Sequence, residues 1–164
     1  MTILINTPNG NIGRPLAEAL LAAGESLVVI QRDPSKVADL AARGVRVVAG
    51  SIDDATTLER AFEGVDHVFW LTPPTYSPDY AAWTSSTAKT AAAVAAKAGV
   101  KRAVVLSSVG AHNDGNGPVT LMRHVEEAFR AQLPNVLALR PAYFMENFLR
   151  DLDTIQTDGA WYMT

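Results

Sequence analysis

The sequence predicts an α/β fold: a doubly wound parallel sheet of about six strands in the order 3-2-1-4-5-6, with helices on both faces. Three observations predict it. Short, nearly continuous runs of Val, Ile and Leu recur along the chain, as in strands buried on both faces of a parallel sheet. Longer segments with helical apolar periodicity lie between them. The two kinds alternate throughout, the pattern of repeated β-α-β units, and right-handed crossovers then give the strand order.

The candidate strands are Thr2–Asn6, Leu27–Gln31, Val45–Ala49, His67–Leu71, Ala103–Ser107 and Val136–Arg140. The first helix carries Ile12, Leu16, Ala19, Leu20 and Ala23 on one stripe and stops at Gly24, with Pro15 in its first turn, where a missing N–H costs little. Asp33 and Pro34 open the second helix as N-cap and first helical residue, and Gly44 closes it. Asp53 or Asp54 starts a third, which ends near Gly64. An alanine-rich helix runs from Ala81 to Ala98 before Gly99, and it suits either the interior or a partner copy. Val119, Met122, Val125, Phe129 and Leu133 form the stripe of a fifth, stopped by Pro134, and Tyr143–Ile155 is a candidate sixth. The loop Ala111–Pro118 is dense in Asn, Asp and Gly and is expected to be mobile. Trp70 and Trp83 read as core residues.

Composition narrows the function. The chain has 164 residues, with 14 Lys and Arg against 17 Asp and Glu, a formal charge of −3. It lacks the basic face that a phosphate backbone requires, which argues against nucleic acid as a partner. Hydrophobic residues make up 48% and charged residues 19%, which separates it from disordered chains. There is no cysteine, which excludes disulfides, a thiol nucleophile and a zinc–thiolate site. His67, His112 and His124 are scattered, so no metal site is expected. The amino terminus has no basic region followed by an apolar stretch, and the longest small-apolar run, Ala91–Ala96, is far short of a membrane span. A cytoplasmic protein with no membrane partner is expected.

The turn after the first strand reads Asn6-Thr7-Pro8-Asn9-Gly10-Asn11-Ile12-Gly13. A turn that binds a dinucleotide must let backbone approach a pyrophosphate, and the helix N-terminus behind it must offer N–H donors. Gly10 and Gly13 have the required spacing, with Thr7 at the place of the usual first glycine. The end of the second strand selects the nucleotide: an acid there holds a free adenosine ribose, an arginine a 2′-phosphate. Asp33 lies 20 residues past Gly13 but is better used as an N-cap before Pro34. Arg32 and Lys36 stand where a phosphate would lie, so NADP(H) is expected in preference to NAD(H).

The segments INTPNGNIG, VIQRDPSK, AGSIDD, FWLTPP, AAKAGVKRAVVLSSVGA, RHVEEAFR and LRPAYFMENFL, in this order, cover nearly the whole chain. Together they resemble the NmrA-type, atypical short-chain dehydrogenase/reductase family. The resemblance implies an NAD(P)-binding Rossmann domain over residues 1–164. By position it implies that Thr7, Asn9, Gly10, Asn11 and Ile12 cradle the pyrophosphate, that Arg32 meets the adenosine phosphate or ribose, and that Ser51, Ile52 and Asp53 flank the adenine. It further implies that Leu71, Thr72 and Pro73 lie along the ribose, and that Ser107, Ser108 and Val109 approach the nicotinamide. Pro141, Ala142, Tyr143 and Phe144 would wall the nicotinamide and substrate pocket. Two residues depart from the family pattern. Thr7 narrows the turn, and Ser51 replaces an aspartate that would accept from the adenine amino group; either weakens the cofactor's hold.

Ordinary reductases of this superfamily use a Tyr-x-x-x-Lys pair, in which lysine lowers the pKa of a proton-delivering tyrosine. Here Tyr76, Tyr80 and Tyr143 are followed four residues on by Tyr80, Thr84 and Asn147, and Tyr162 by nothing in the sequence. His124 stands near a lysine-like position of the family and off the apolar stripe of its helix, facing either the cleft or water. His124 and Tyr143 are therefore the candidate catalytic side chains. The resemblance leaves two activities. One is an NAD(P)H-dependent oxidoreductase acting on a quinone-like, electron-poor small molecule, which accepts hydride without a dedicated acid. The other is a non-catalytic redox sensor. Relatives of this type continue past the LRPAYFMENF segment, so a C-terminal substrate lobe is expected to be shortened or missing, with a further strand beginning at Ala160–Met163. Apolar surface bared there would favour a homodimer.

Overall fold

The computed structural model describes residues 1–75 and 78–161. Six parallel strands form one sheet: β1 (Thr2–Ile5), β2 (Ser26–Gln31), β3 (Arg46–Ala49), β4 (His67–Leu71), β5 (Arg102–Leu106) and β6 (Val136–Leu139). Their order is β3-β2-β1-β4-β5-β6, as expected. Register follows the hydrophobic runs: Ile5 lies beside Val29 on one side and Phe69 on the other, and Phe69 beside Val104.

Successive side chains of a strand point to opposite faces, and this builds two cores. Leu4, Val28, Ile30, Val68 and Trp70 pack on α3 (Ala55–Phe62), α4 (Tyr80–Lys97) and α5 (Pro118–Gln132). Ile5, Leu27, Val29 and Phe69 pack on α1 (Gly13–Ala22) and on Val37 and Leu40, which flank the start of α2 (Ala38–Ala42). Continuous burial holds for the inner strands. It fails at β6, an edge strand whose Leu137 and Leu139 are exposed because no strand lies beyond them among the described residues.

Local chemistry explains the helix ends. Asp33 accepts from the Ser35 backbone N–H at 3.1 Å and the Ser35 hydroxyl at 2.7 Å, capping a short 3-10 turn (Pro34–Val37) that leads into α2. Asp54 caps α3 by accepting from the Thr57 backbone N–H at 2.9 Å, which leaves Asp53 for other work. Gly24 follows α1 at φ +79°, and its N–H donates to the Leu21 carbonyl. Ala88, Ala91, Ala92 and Ala95 of α4 are buried, so one face of the alanine-rich helix packs inside, and the small side chains let α5 approach closely. The 111–118 loop is tied by Asn116 Nδ2 donating to the Gly110 carbonyl and Thr120 Oγ1 donating to the Asn113 carbonyl.

The sixth helix departs from expectation. Residues Met145–Asp151 form a 3-10 segment, and only Leu152–Asp158 (α6) is α-helical. Leu149, Leu152 and Ile155 are exposed, so no apolar stripe is buried to hold one continuous helix. Of the strand expected over Ala160–Met163, Ala160 and Trp161 are not in a strand, and the other half lies outside the described residues, as do Tyr76 and Tyr162. No helix among the described residues is long and apolar enough to cross a membrane.

Candidate cofactor-binding groove

Sheet order reverses between β1 and β4, and a crevice opens there beyond the strands' carboxyl ends. The structure holds two clefts that share Thr7, Gly10, Pro73 and Pro74, so they form one groove crossing the β1–α1 turn. The smaller, of about 290 Å³, lies over β2 and β3. The larger, of about 720 Å³, lies over β4, β5 and the segment after β6, and its wall is mostly apolar.

The turn between them is built by opposite demands on two glycines. A Cβ on Gly13 would lie 1.9 Å from the Thr7 carbonyl oxygen, so only glycine lets α1 pack against the turn. A Cβ on Gly10 would find nothing nearer than that oxygen at 3.8 Å, so the fold itself leaves space over Gly10. Among the described residues no side chain caps α1, and no acid occupies its first turn, so its N-terminal N–H groups suit an anion. The Thr7 and Thr72 hydroxyls are buried in the groove without a partner among the described residues. The residues present therefore fit a dinucleotide: open space over Gly10 for a pyrophosphate, N–H donors behind it, and two hydroxyls to satisfy.

In the smaller cleft, Asn9, Arg32, Ser51, Ile52 and Asp53 line the wall. Trp83 packs half-buried against the core, as expected, and it also walls this cleft, stacked on Tyr80 at 6.1 Å between ring centroids. Its indole N–H donates to Asp53 Oδ2 at 2.9 Å. The Ser51 hydroxyl, this indole and the nearby Arg32 charge hold the Asp53 carboxyl below its ordinary value, so Asp53 stays an acceptor facing the cleft.

In the larger cleft, Asn11, Ile12, Leu71, Thr72, Ser107, Ser108, Pro141, Ala142 and Phe144 line the wall. On the stripe of α5, Met122 packs against the core and also lines this cleft, and Val119 lines it as well, together with Tyr80 and Asn147. Five sequence candidates are not among the residues that line either cleft: Gly13, Lys36, Val109, His124 and Tyr143. Gly13 acts through packing. Lys36 is exposed at the end of the 3-10 turn. Val109 is exposed, and its N–H donates to the Pro141 carbonyl at 2.9 Å. His124 faces outward, with Nδ1 3.5 Å from a Glu127 carboxylate oxygen. Tyr143 turns away to pack edge-on against Phe148, 5.3 Å between ring centroids, and against Trp161.

A family model described as NAD(P)H-binding matches residues 8–153. The chain belongs to this NAD(P)H-binding family. An NAD(P)H azoreductase from Xenophilus azovorans is 33% identical over 165 residues, covering 98% of this chain and 54% of that protein. A (4-alkanoyl-5-oxo-2,5-dihydrofuran-3-yl)methyl phosphate reductase from Streptomyces griseus is 33% identical, covering 96% of this chain and 53% of that protein. The chain thus spans about half the length of the curated relatives it matches. Among solved structures, Citrobacter sp. triphenylmethane reductase with NADP(H) superposes with a TM-score of 0.83 at 23% identity, over 96% of this chain and 55% of that one. An NADPH-dependent quinone oxidoreductase from Escherichia coli with NADPH gives 0.82 at 23% identity, over 96% of this chain and 54% of that one. These two likenesses show the Rossmann-like fold.

Within this NAD(P)H-binding chain, two buried polar side chains at the groove escaped the sequence reading. Asn6 bridges β1 and β4 beneath the turn: its Nδ2 donates to the Leu71 carbonyl at 2.7 Å, and its Oδ1 accepts from the Leu71 N–H at 2.9 Å. Glu126 of α5 is fully buried under the larger cleft. It accepts from the Ser107 hydroxyl, from Arg140 Nε at 2.8 Å and Nη2 at 2.6 Å, and from Arg130 Nη1 at 2.7 Å. Burial alone would raise the Glu126 carboxyl, but the hydrogen bonds of Arg140, Ser107 and Arg130 overcome that and hold it at about 2. The only advance signal was the Glu126/Arg130 spacing of four residues on one helix.

Proposed function

We propose that the chain is the cofactor-binding part of an NADPH-dependent oxidoreductase that reduces a small, electron-poor acceptor of the quinone type. The observation that carries this reading is the single groove over Gly10, polar and arginine-bearing at one end and larger and apolar at the other. The polar end suits an adenosine phosphate. The apolar end suits a nicotinamide ring lying against a flat acceptor.

A bound reduced nicotinamide supplies the hydride. The chain's own residues position and shield. Arg32 would pair with the adenosine 2′-phosphate, while Asp33, occupied in capping Ser35, is withdrawn from a ribose. Thr7, Gly10, Asn11 and Ile12 would hold the pyrophosphate at the start of α1. Asp53 and Trp83 would bound the adenine, with Asp53 taking the acceptor role left vacant at Ser51. Pro141, Ala142, Phe144 and Met122 would exclude water beside the ring. A quinone becomes a stable anion when it accepts hydride, so water suffices as the proton source.

The names of the relatives, an azoreductase among them, support a reductase of conjugated acceptors. Oxidation of NADPH by the purified chain, followed at its absorbance band with a panel of quinones, tests the reading. Acceptor-dependent turnover is expected. Bound cofactor with no turnover across the panel would favour a redox sensor instead.

A further inference from the structure

We infer that Glu126 is a positioning residue that makes Ser107 a hydrogen-bond acceptor toward the larger cleft, so that this part of the groove reads an N–H donor, the carboxamide NH2 of the nicotinamide. The inference rests on the cofactor reading above and deepens it.

A serine hydroxyl has one proton to give and lone pairs to offer. The Ser107 proton is spent on Glu126 Oε1, 2.5 Å away. Glu126 has no proton to return. It sits between two guanidiniums, one of them bidentate, and is 0% exposed. The direction of the Ser107–Glu126 bond is therefore fixed, and toward any other partner Ser107 can only accept. Ser107 itself lines the larger cleft and is 6% exposed. Its backbone is held as firmly: its N–H donates to the Leu139 carbonyl at 2.7 Å, continuing the β5–β6 ladder into the cleft wall. Arg140, the other arm of the network, directly precedes the wall residues Pro141 and Ala142. One buried carboxylate thus fixes the hydroxyl on β5 and the strand end on β6. Among groups that suit this end of the groove, the nicotinamide carboxamide carries an N–H donor beside its carbonyl, whereas a quinone carries acceptors only.

The test is a chemical double-mutant cycle read by binding, not turnover. NADPH and its reduced 3-acetylpyridine analogue, in which a methyl replaces the carboxamide NH2, are titrated calorimetrically into the unmodified chain, Ser107→Ala and Glu126→Gln. Ser107→Ala is expected to weaken NADPH about three- to tenfold, the scale of one hydrogen bond, and to leave the analogue within about twofold. Glu126→Gln, whose amide can turn a donor toward Ser107, is expected to narrow the preference for NADPH over the analogue in the same way. Equal losses for both dinucleotides on Ser107→Ala, or no loss for either, would overturn the inference while leaving the cofactor reading standing. No binding of either dinucleotide to the unmodified chain would overturn both.

Discussion

Asn6 and Leu71 are joined by a pair of hydrogen bonds that continues the sheet by one rung beyond its last backbone pair. The β1–β4 pairing runs to Ile5 and Phe69, and there the chain after β1 turns away toward α1. The Asn6 side-chain amide takes over, giving a donor to the Leu71 carbonyl and an acceptor to its N–H. It holds the two strands together at the point where the sheet order reverses and the groove opens.

Asn6→Ala would leave both Leu71 groups unpaired in a poorly hydrated site. A loss of about 1–3 kcal/mol in unfolding free energy is expected, measured by urea denaturation. An unchanged midpoint would show that water replaces the amide without cost.

Gly13 and Gly10 should separate stability from binding. A methyl on Gly13 meets the Thr7 backbone at 1.9 and 2.8 Å, and backbone cannot rotate aside. Gly13→Ala should cost about 1–3 kcal/mol in the same assay. Gly10→Ala should leave the midpoint unchanged, because the nearest atom is 3.8 Å away and Gly10 has no positive φ. Equal midpoints for the two variants would contradict this division.

Much of the fold was legible because a parallel sheet writes itself as apolar runs. Val28, Val29 and Ile30 are buried whichever face they point to, and no other element needs that pattern. The groove's backbone parts were legible for the same reason: Gly10 and Arg32 follow strands at fixed offsets. The buried network was not. Glu126 sits one residue past Val125 on the α5 stripe, and a charge there reads as solvated until Arg140, 14 residues on and on another element, folds back over it. The cleft-facing role of Trp83 is not legible in sequence, because its hydrogen-bond partner, Asp53, is 30 residues earlier. His124 and Tyr143 were singled out by position along their elements, but side-chain direction is set by packing. Glu127 draws one, and Phe148 and Trp161 hold the other.

Cofactor choice should rest on Arg32. Arg32 lines the smaller cleft, and the neighbouring acid Asp33 is engaged with Ser35. Arg32→Ala is expected to weaken NADPH binding about tenfold or more, the scale of a lost charge-assisted bond, and to leave NADH nearly unchanged. The two titrations, run side by side, decide it, and equal effects on both would contradict the preference.

Glu126 should give the chain an acid-sensitive component of stability. Its folded carboxyl is held at about 2 against an ordinary 4.5, so the unfolded chain takes up the proton first. The stabilisation is complete above about 4.5 and is lost as pH falls toward 2. Glu126→Gln breaks the paired charge and should cost about 3 kcal/mol at neutral pH. The gap between variant and unmodified chain should narrow as denaturation is repeated from pH 7 down through pH 4.5 and below. A gap that stays constant across that range would show that the carboxylate charge is not what stabilises the network.

The most direct measurement of the whole account is a calorimetric titration of NADPH into the unmodified chain and into Gly10→Val, with circular dichroism recorded on both. Saturable one-to-one binding by the unmodified chain, and its loss in a variant whose spectrum is unchanged, is the predicted result, because valine fills the open space over Gly10, where a Cβ meets nothing nearer than 3.8 Å. Binding that survives Gly10→Val undiminished, or that is absent from the unmodified chain, would contradict the assignment of the groove.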